Sequence, residues 1–224
     1  MTFSLAARCA RTGMFGMVVS SSSPAVAARC AHARAKVGAA ASQNVTDPAL
    51  GQQMLDLMAH GASAEEAVKI AARSTPFGAY RQLTAVDSQG GVGVHIGAKT
   101  LGTHGAARSQ NVVAAGNLLA NPEVPARMVS AFAQTEGHLG FRLLAALVAG
   151  QAAGGEAGPV HSAGLLVVDR TSWPLVDLRV DWHEEDPIKA LALAWEIYAP
   201  QMQAYIDRAL DPSEAPSYGV PGDP

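Results

Sequence analysis

Strands in this chain come in neighbouring pairs, and the turns inside each pair are too short to hold a crossover helix. Residues 2–8 alternate Phe3 and Leu5 with Ser4 and Ala6, and a turn at Arg11-Thr12-Gly13 leads into a second run over residues 14–21. That is the pattern of a hairpin. Residues 82–86 and 92–96 form another, joined by Asp87-Ser88-Gln89-Gly90-Gly91. Residues 162–169 and 175–182 are a third pair. In its second run Val176, Leu178, Val180 and Trp182 face one way and Asp177, Arg179 and Asp181 the other. Parallel neighbours need about a dozen connecting residues, so these pairs predict antiparallel sheets.

Helices fall between the strand pairs, two at a time. Residues 48–60 put Leu50, Met54, Leu57 and Met58 on one face, with Gly61 just past the end. Residues 63–73 open on Ser63-Ala64-Glu65-Glu66, the spacing of a capping box. A second pair covers residues 121–136, opened by Asn121-Pro122-Glu123, and residues 138–150, rich in leucine. A last helix starts at Asp186-Pro187, carries Ile188, Leu191, Trp195 and Tyr198, and must kink or split at Pro200. Small-residue strands are read at 37–45 and 110–115, a short Ala-rich helix within 25–36, and a Gly-rich loop over 97–109. The order predicts a layered α+β architecture in one domain over residues 1–210, followed by an extended or disordered Pro/Gly-rich tail over 211–224.

Composition narrows the function. Charged residues make up 16% of the chain, against about 25% in typical domains, which predicts surface hidden in a homo-oligomer, a dimer or larger. A net charge of -3 leaves no basic stripe for phosphates, so no general nucleic-acid binding is expected. No stretch is apolar enough to span a membrane. The acid-free start before Asp47 faintly resembles a targeting peptide, but Ser20 to Pro24 interrupt its apolar run and the hairpin reading is preferred. Two cysteines, Cys9 and Cys30, read as buried thiols of a reducing cytoplasm. Motifs for dinucleotides, P-loop phosphates, zinc peptidases and the α/β-hydrolase elbow are missing, so no cofactor and no metal is expected. What remains is a small-molecule substrate.

Thr2 offers chemistry. Removal of an initiator Met1 would give one residue both a hydroxyl and a free α-amine, a nucleophile with a built-in base. The segments MTFSLAAR, VGAAASQN, RQLTAVDSQGG, QNVVAAGNLLA, HSAGLLVVD and VDLRVDWHEEDP resemble, in that order, the bacterial and archaeal family catalogued as domain of unknown function 1028. The similarity runs to about residue 210. That family is grouped with the N-terminal-nucleophile (Ntn) hydrolases. The resemblance therefore implies a four-layer α/β/β/α sandwich of two antiparallel sheets, and Thr2 matches the nucleophile position of that superfamily. It supplies no substrate.

On that reading Thr2 attacks an amide carbonyl, and Asn117, after a glycine at a strand end, is the first candidate for holding the oxyanion. Asn117 reads equally as a turn residue. Gln43 and Asn44 end the VGAAASQN strand and are candidates for substrate binding, with strand-end hydrogen bonding as the plainer role. Arg179, flanked by Asp177 and Asp181, could grip a substrate carboxylate or form a solvent charge ladder. His161 and Ser162 stand at a strand entrance. Asp181, His183, Glu185 and Asp186 are possible metal ligands, but their spacing matches no strong signature and Asp186 is better explained as a helix cap. The leading expectation is an amidohydrolase on a small amide. The alternative is a non-catalytic ligand-binding or scaffold protein on the same fold. A third reading is an enzyme that works through Arg179 and Asp181 instead of its N-terminus.

Overall fold

Two antiparallel sheets stack face to face, and helices cover both outer faces. The computed structural model describes residues 1–222. Among them the first sheet has six strands: β1 (Thr2–Arg8), β2 (Phe15–Ser21), β7 (Gly105–Ser109), β8 (Val112–Asn117), β9 (Ser162–Val168) and β10 (Val176–Val180), in the order β10-β9-β2-β1-β8-β7. The second runs β3 (Ala31–Arg34), β4 (Gly38–Asn44), β5 (Arg81–Asp87), β6 (Val92–Ile96). Helices α4 (Val124–Gln134), α5 (Leu139–Ala152) and α6 (Pro187–Tyr198) pack on the first sheet, and α2 (Pro48–Ala59) and α3 (Ala64–Arg73) on the second. This is the four-layer α/β/β/α sandwich that the resemblance implied.

The period-two pattern of β1 explains the layering. Phe3, Leu5 and Ala7 point outward and join Met128, Leu143 and Leu147 of α4 and α5 in one core. Ala6 points inward and meets Phe15, Met17, Ala39, Ala41, Val86 and Val113 between the sheets. Leu50, Met54, Val68 and Leu83 make the core beneath α2 and α3. Each large side chain buried in this way contributes about 1.5–3 kcal/mol. Gly51 in α2 is set by close approach, since a Cβ there would lie 2.0 Å from the ring of His32 on β3.

Several local expectations hold. Ser63 and Glu66 form the capping box at the start of α3, and Asp186 caps α6 by accepting from the Lys189 N–H. After Pro200 the chain resumes as α7 (Met202–Leu210), so the last helix is split. Cys9 and Cys30 are free, buried thiols. Others are corrected. The Ala-rich helix is only α1 (Val26–Cys30), and Ala31 to Arg34 form β3, because pairing with β4 overrides alanine's helix preference. The Gly-rich loop contains β7, a largely exposed edge strand. Residues 211–222 carry no helix or strand, yet Arg208 donates to the carbonyls of Pro216 and Ser217 and lies 3.8 Å over the Tyr218 ring. Residues 223–224 of the expected tail lie outside the described residues. No helix among the described residues is long and apolar enough to cross a membrane.

Candidate active site at the start of the central strand

Thr2 is the first residue of β1, which lies between β2 and β8. Strand alternation turns it toward the second sheet. Asn117 stands opposite it on β8, and Ser162 stands opposite Ser21 across β2 and β9. Asn117, Thr2, Ser21 and Ser162 thus form one polar row at the end of the inter-sheet space. All four are buried, with Thr2 only 6% exposed.

Two hydroxyls in this row converge on one carbonyl. Thr2 Oγ1 and Ser21 Oγ both donate to the carbonyl oxygen of Met1, and the two hydroxyl oxygens lie 3.4 Å apart. Ser21 Oγ also accepts from the Ser23 N–H at 3.0 Å, which fixes its orientation. Met1 therefore covers Thr2. Cavities of about 480 Å³ (beside Cys9, Arg11 and Arg142) and about 510 Å³ (beside Arg34, Lys36 and Arg170) belong to the other end of the strands, and Thr2 lines neither.

Behind the row runs a buried network between the sheets. Ser4 Oγ donates to Gln43 Oε1 at 2.8 Å, Gln43 Nε2 to Gln82 Oε1 at 2.8 Å, and Gln82 Nε2 to the Gly116 carbonyl at 2.9 Å. A main-chain carbonyl can only accept, so the Gly116 end fixes the direction of every amide in the chain. Asn117 Nδ2 donates to Gln82 Oε1 at 3.0 Å, and this leaves Asn117 Oδ1 buried without a partner. Gln82→Met should cost about 1–3 kcal/mol, because it strands the donors of Gln43 and Asn117 and the Gly116 acceptor in a fully buried layer. Urea unfolding of the variant against the parent measures it.

The remaining candidates divide. Asn44 has φ 82° and commits both amide atoms to the backbone, donating to Tyr80 O at 2.7 Å and accepting from the Leu101 N–H at 3.2 Å. Ser162 Oγ donates to Ser23 O at 2.6 Å and accepts from the Val26 N–H at 3.3 Å, tying down the chain between β2 and α1. Arg179 makes a bidentate pair with Asp177 at 2.7 and 2.8 Å, exposed on the edge strand β10. That strand lies three positions from β1, about 14 Å at usual strand spacing. Asp181, just past its end, is exposed as well. His183 Nδ1 accepts from the N–H groups of Glu185 and Asp186, so it closes a turn. Thr2, Asn117 and Gln43 are thus brought together, and Arg179 and Asp181 stand apart.

One residue of the site was not read from the sequence. Glu156 is 4% exposed in the loop between α5 and β9, and its carboxylate accepts the Ser22 N–H at 3.1 and 3.2 Å. Burial pushes its pKa up to about 7, against the pull of the N-terminal amine, the Ser22 hydrogen bond and His161. A carboxyl tuned to that range is typical of proton-handling sites. Gly154 and Gly155, both at positive φ, turn the loop inward. The signal available was weak: the sole acid between Glu136 and Asp169, in a run of glycines and alanines. His161 forms the rim, stacked on Trp182 at 4.5 Å and bonded through its N–H to Ser21 O at 2.8 Å.

Residues 2–191 match a family described as "Family of unknown function (DUF1028)". A crystal structure of a protein from Silicibacter pomeroyi, assigned to that same family, is 30% identical, covers 88% of this chain and 89% of its own, and superposes with a TM-score of 0.82. Two looser matches are Anbu (ancestral beta-subunit) from Yersinia bercovieri, at 12% identity, 91% and 97% coverage and TM-score 0.41, and Anbu from Hyphomicrobium sp. strain MC1, at 10%, 97% and 100%, and 0.43. No curated protein matches the chain.

Proposed function

The chain belongs to the DUF1028 family, and on that premise we propose that it is an amidohydrolase of the N-terminal-nucleophile type, with Thr2 as nucleophile once Met1 is removed. The observation that carries this reading is the convergence of the Thr2 and Ser21 hydroxyls on a single carbonyl oxygen at the start of the central strand. That is the position in which a substrate carbonyl would be attacked and held.

With Met1 gone, the Thr2 amine takes the hydroxyl proton as Oγ1 attacks an amide carbonyl carbon. Ser21 Oγ steadies the oxyanion, a role worth about 3–4 kcal/mol per donor in well-studied hydrolases. The amine then protonates the leaving nitrogen, and water releases the ester on Thr2. Asn117 changes role from the sequence expectation. Its Nδ2 is committed to Gln82, whereas its free Oδ1, across the ladder from Thr2, is suited to orient the new amine. Gln43 and Gln82 hold Asn117, while Asn44 and Ser162 hold the surrounding loops. Arg179 and Asp181 could meet only the far end of a bound molecule. The substrate is a small amide, with no cofactor, in a cytoplasmic homo-oligomer, which the low charge content supports.

The alternative, a ligand-binding or scaffold protein without catalysis, is favoured by the burial of Thr2 beneath Met1. Covalent trapping separates the two. A β-lactone incubated with untagged protein should leave one acyl group, mapped by peptide mass spectrometry to Thr2. An unmodified Thr2 favours the binding protein.

A further inference from the structure

The outer faces of α5 and α6 carry almost no charge. Along α5, Phe141, Ala145, Val148 and Ala152 recur at helical spacing on the side away from the sheet. Its single charged residue, Arg142, turns aside: the guanidinium lies 4.0 Å over the Phe132 ring of α4 and donates to the Phe132 carbonyl at 3.1 Å. Along α6 the outward stripe is Lys189, Leu193, Glu196 and Ile197. Phe141, Val148, Leu193 and Ile197 are 48–68% exposed, an apolar patch of the kind that marks a protein contact. A groove of about 410 Å³ opens between the two helices, lined by Val148, Ala152, Ile188, Ala192 and Lys189.

We infer that two copies of this chain meet on this face, about a two-fold axis that crosses α5 at Ala145 and α6 at Leu193. The two helices run antiparallel, since Gly140 abuts the Trp195 ring while Val148 and Ala152 share the groove with Ile188 and Ala192. Ala145 and Leu193 are therefore level with one another. A two-fold at that level brings each helix antiparallel against its own copy, as a self-complementary contact requires. On α6, Lys189 stands four residues before Leu193 and Glu196 three after it, about 10 Å apart along the helix. Neither forms an ion pair among the described residues. The axis sets Lys189 against the partner's Glu196, and Glu196 against the partner's Lys189. On α5 it sets Phe141 over the partner's Val148 and its groove, so that ring and hollow match twice. Ala145, at the axis, is small enough to let the two α5 helices approach closely. A lipid surface would offer no such counterpart to charges of both signs. The interface specifies the homo-oligomer that the low charge content suggests, and it stands whether or not Thr2 is a nucleophile.

The experiment is sedimentation equilibrium of the untagged protein at micromolar concentration, with far-UV circular dichroism to show that each variant is folded. Expected is self-association, with a dimer of twice the 23.0 kDa chain mass as its unit. Phe141→Asp should weaken that dimer at least about 30-fold, the scale of one anchoring side chain at an interface. Glu196→Lys should weaken it about tenfold, because both cross-axis pairs become like-charged. Adding Lys189→Glu to Glu196→Lys restores opposite signs and should recover the parent's affinity. All three positions face solvent in the single chain, so the variants should fold as the parent does. A monomeric parent overturns the inference, leaving the face to another protein or to the chain's own tail. So does an oligomer that Phe141→Asp leaves as tight as before. A double variant no tighter than Glu196→Lys alone overturns the antiparallel pairing and the inference with it. Sedimentation is blind to catalysis at Thr2, so the interface and the nucleophile are tested separately.

Discussion

Thr2→Ala should abolish acylation and turnover of the mature protein, lowering the rate about 10³-fold or more, the scale seen when a nucleophile is removed from a hydrolase site. Alanine is small enough for Met1 still to leave, so the variant isolates the hydroxyl. Stability should change by no more than about 1 kcal/mol. The hydroxyl's partners are the Met1 carbonyl, which departs on maturation, and Ser21 at 3.4 Å. Thr2→Ser keeps the hydroxyl and should keep measurable turnover. A Thr2→Ala protein with parental rates would mean that Oγ1 is not the nucleophile, and the readings through other residues would return.

The second large effect is on stability. Glu156 titrates at about 7 in the folded chain because it is buried, against an ordinary value of 4.5. A group whose folded pKa is raised favours the folded state when protonated. Its contribution is fully present below pH 4.5 and is lost as the pH rises toward 7. The difference corresponds to about 3 kcal/mol. The protein with Met1 present should therefore lose stability between pH 5 and 8 relative to Glu156→Gln, which cannot ionise and keeps an acceptor for the Ser22 N–H. Urea midpoints measured across that range decide it. Parallel curves for the two proteins would mean that Glu156 is ionised in the folded state at an ordinary pKa.

The sequence made some parts of this arrangement plain. The β1–β2 hairpin was readable because Phe3 and Leu5 alternate with Ser4 and Ala6, and the α3 capping box because Ser63 and Glu66 keep fixed spacing. Thr2 stood out by its position and chemistry. The four layers came from family resemblance, since periodicity shows which face of a strand is buried but not what lies across it. β3 and β7 were hidden because they are short and built largely of alanine, which favours a helix as readily as a strand. Ser21 was readable only as the end of a hairpin strand and part of a polar interruption, and Glu156 only as an isolated acid among glycines and alanines. Both matter through contacts between segments far apart in the chain: Ser21 through Met1 and Glu156 through Ser22. Asn117 was found for its place in the strand. Its unpartnered oxygen depends on Gln82, 35 residues away in the other sheet.

On the proposed mechanism Met1 leaves and Thr2 becomes the working N-terminus. The most direct test is the intact mass of the untagged protein expressed from its own start codon. A mass short by one methionine residue is the predicted result. A full-length mass, with the Thr2 nitrogen still in a peptide bond, would contradict it.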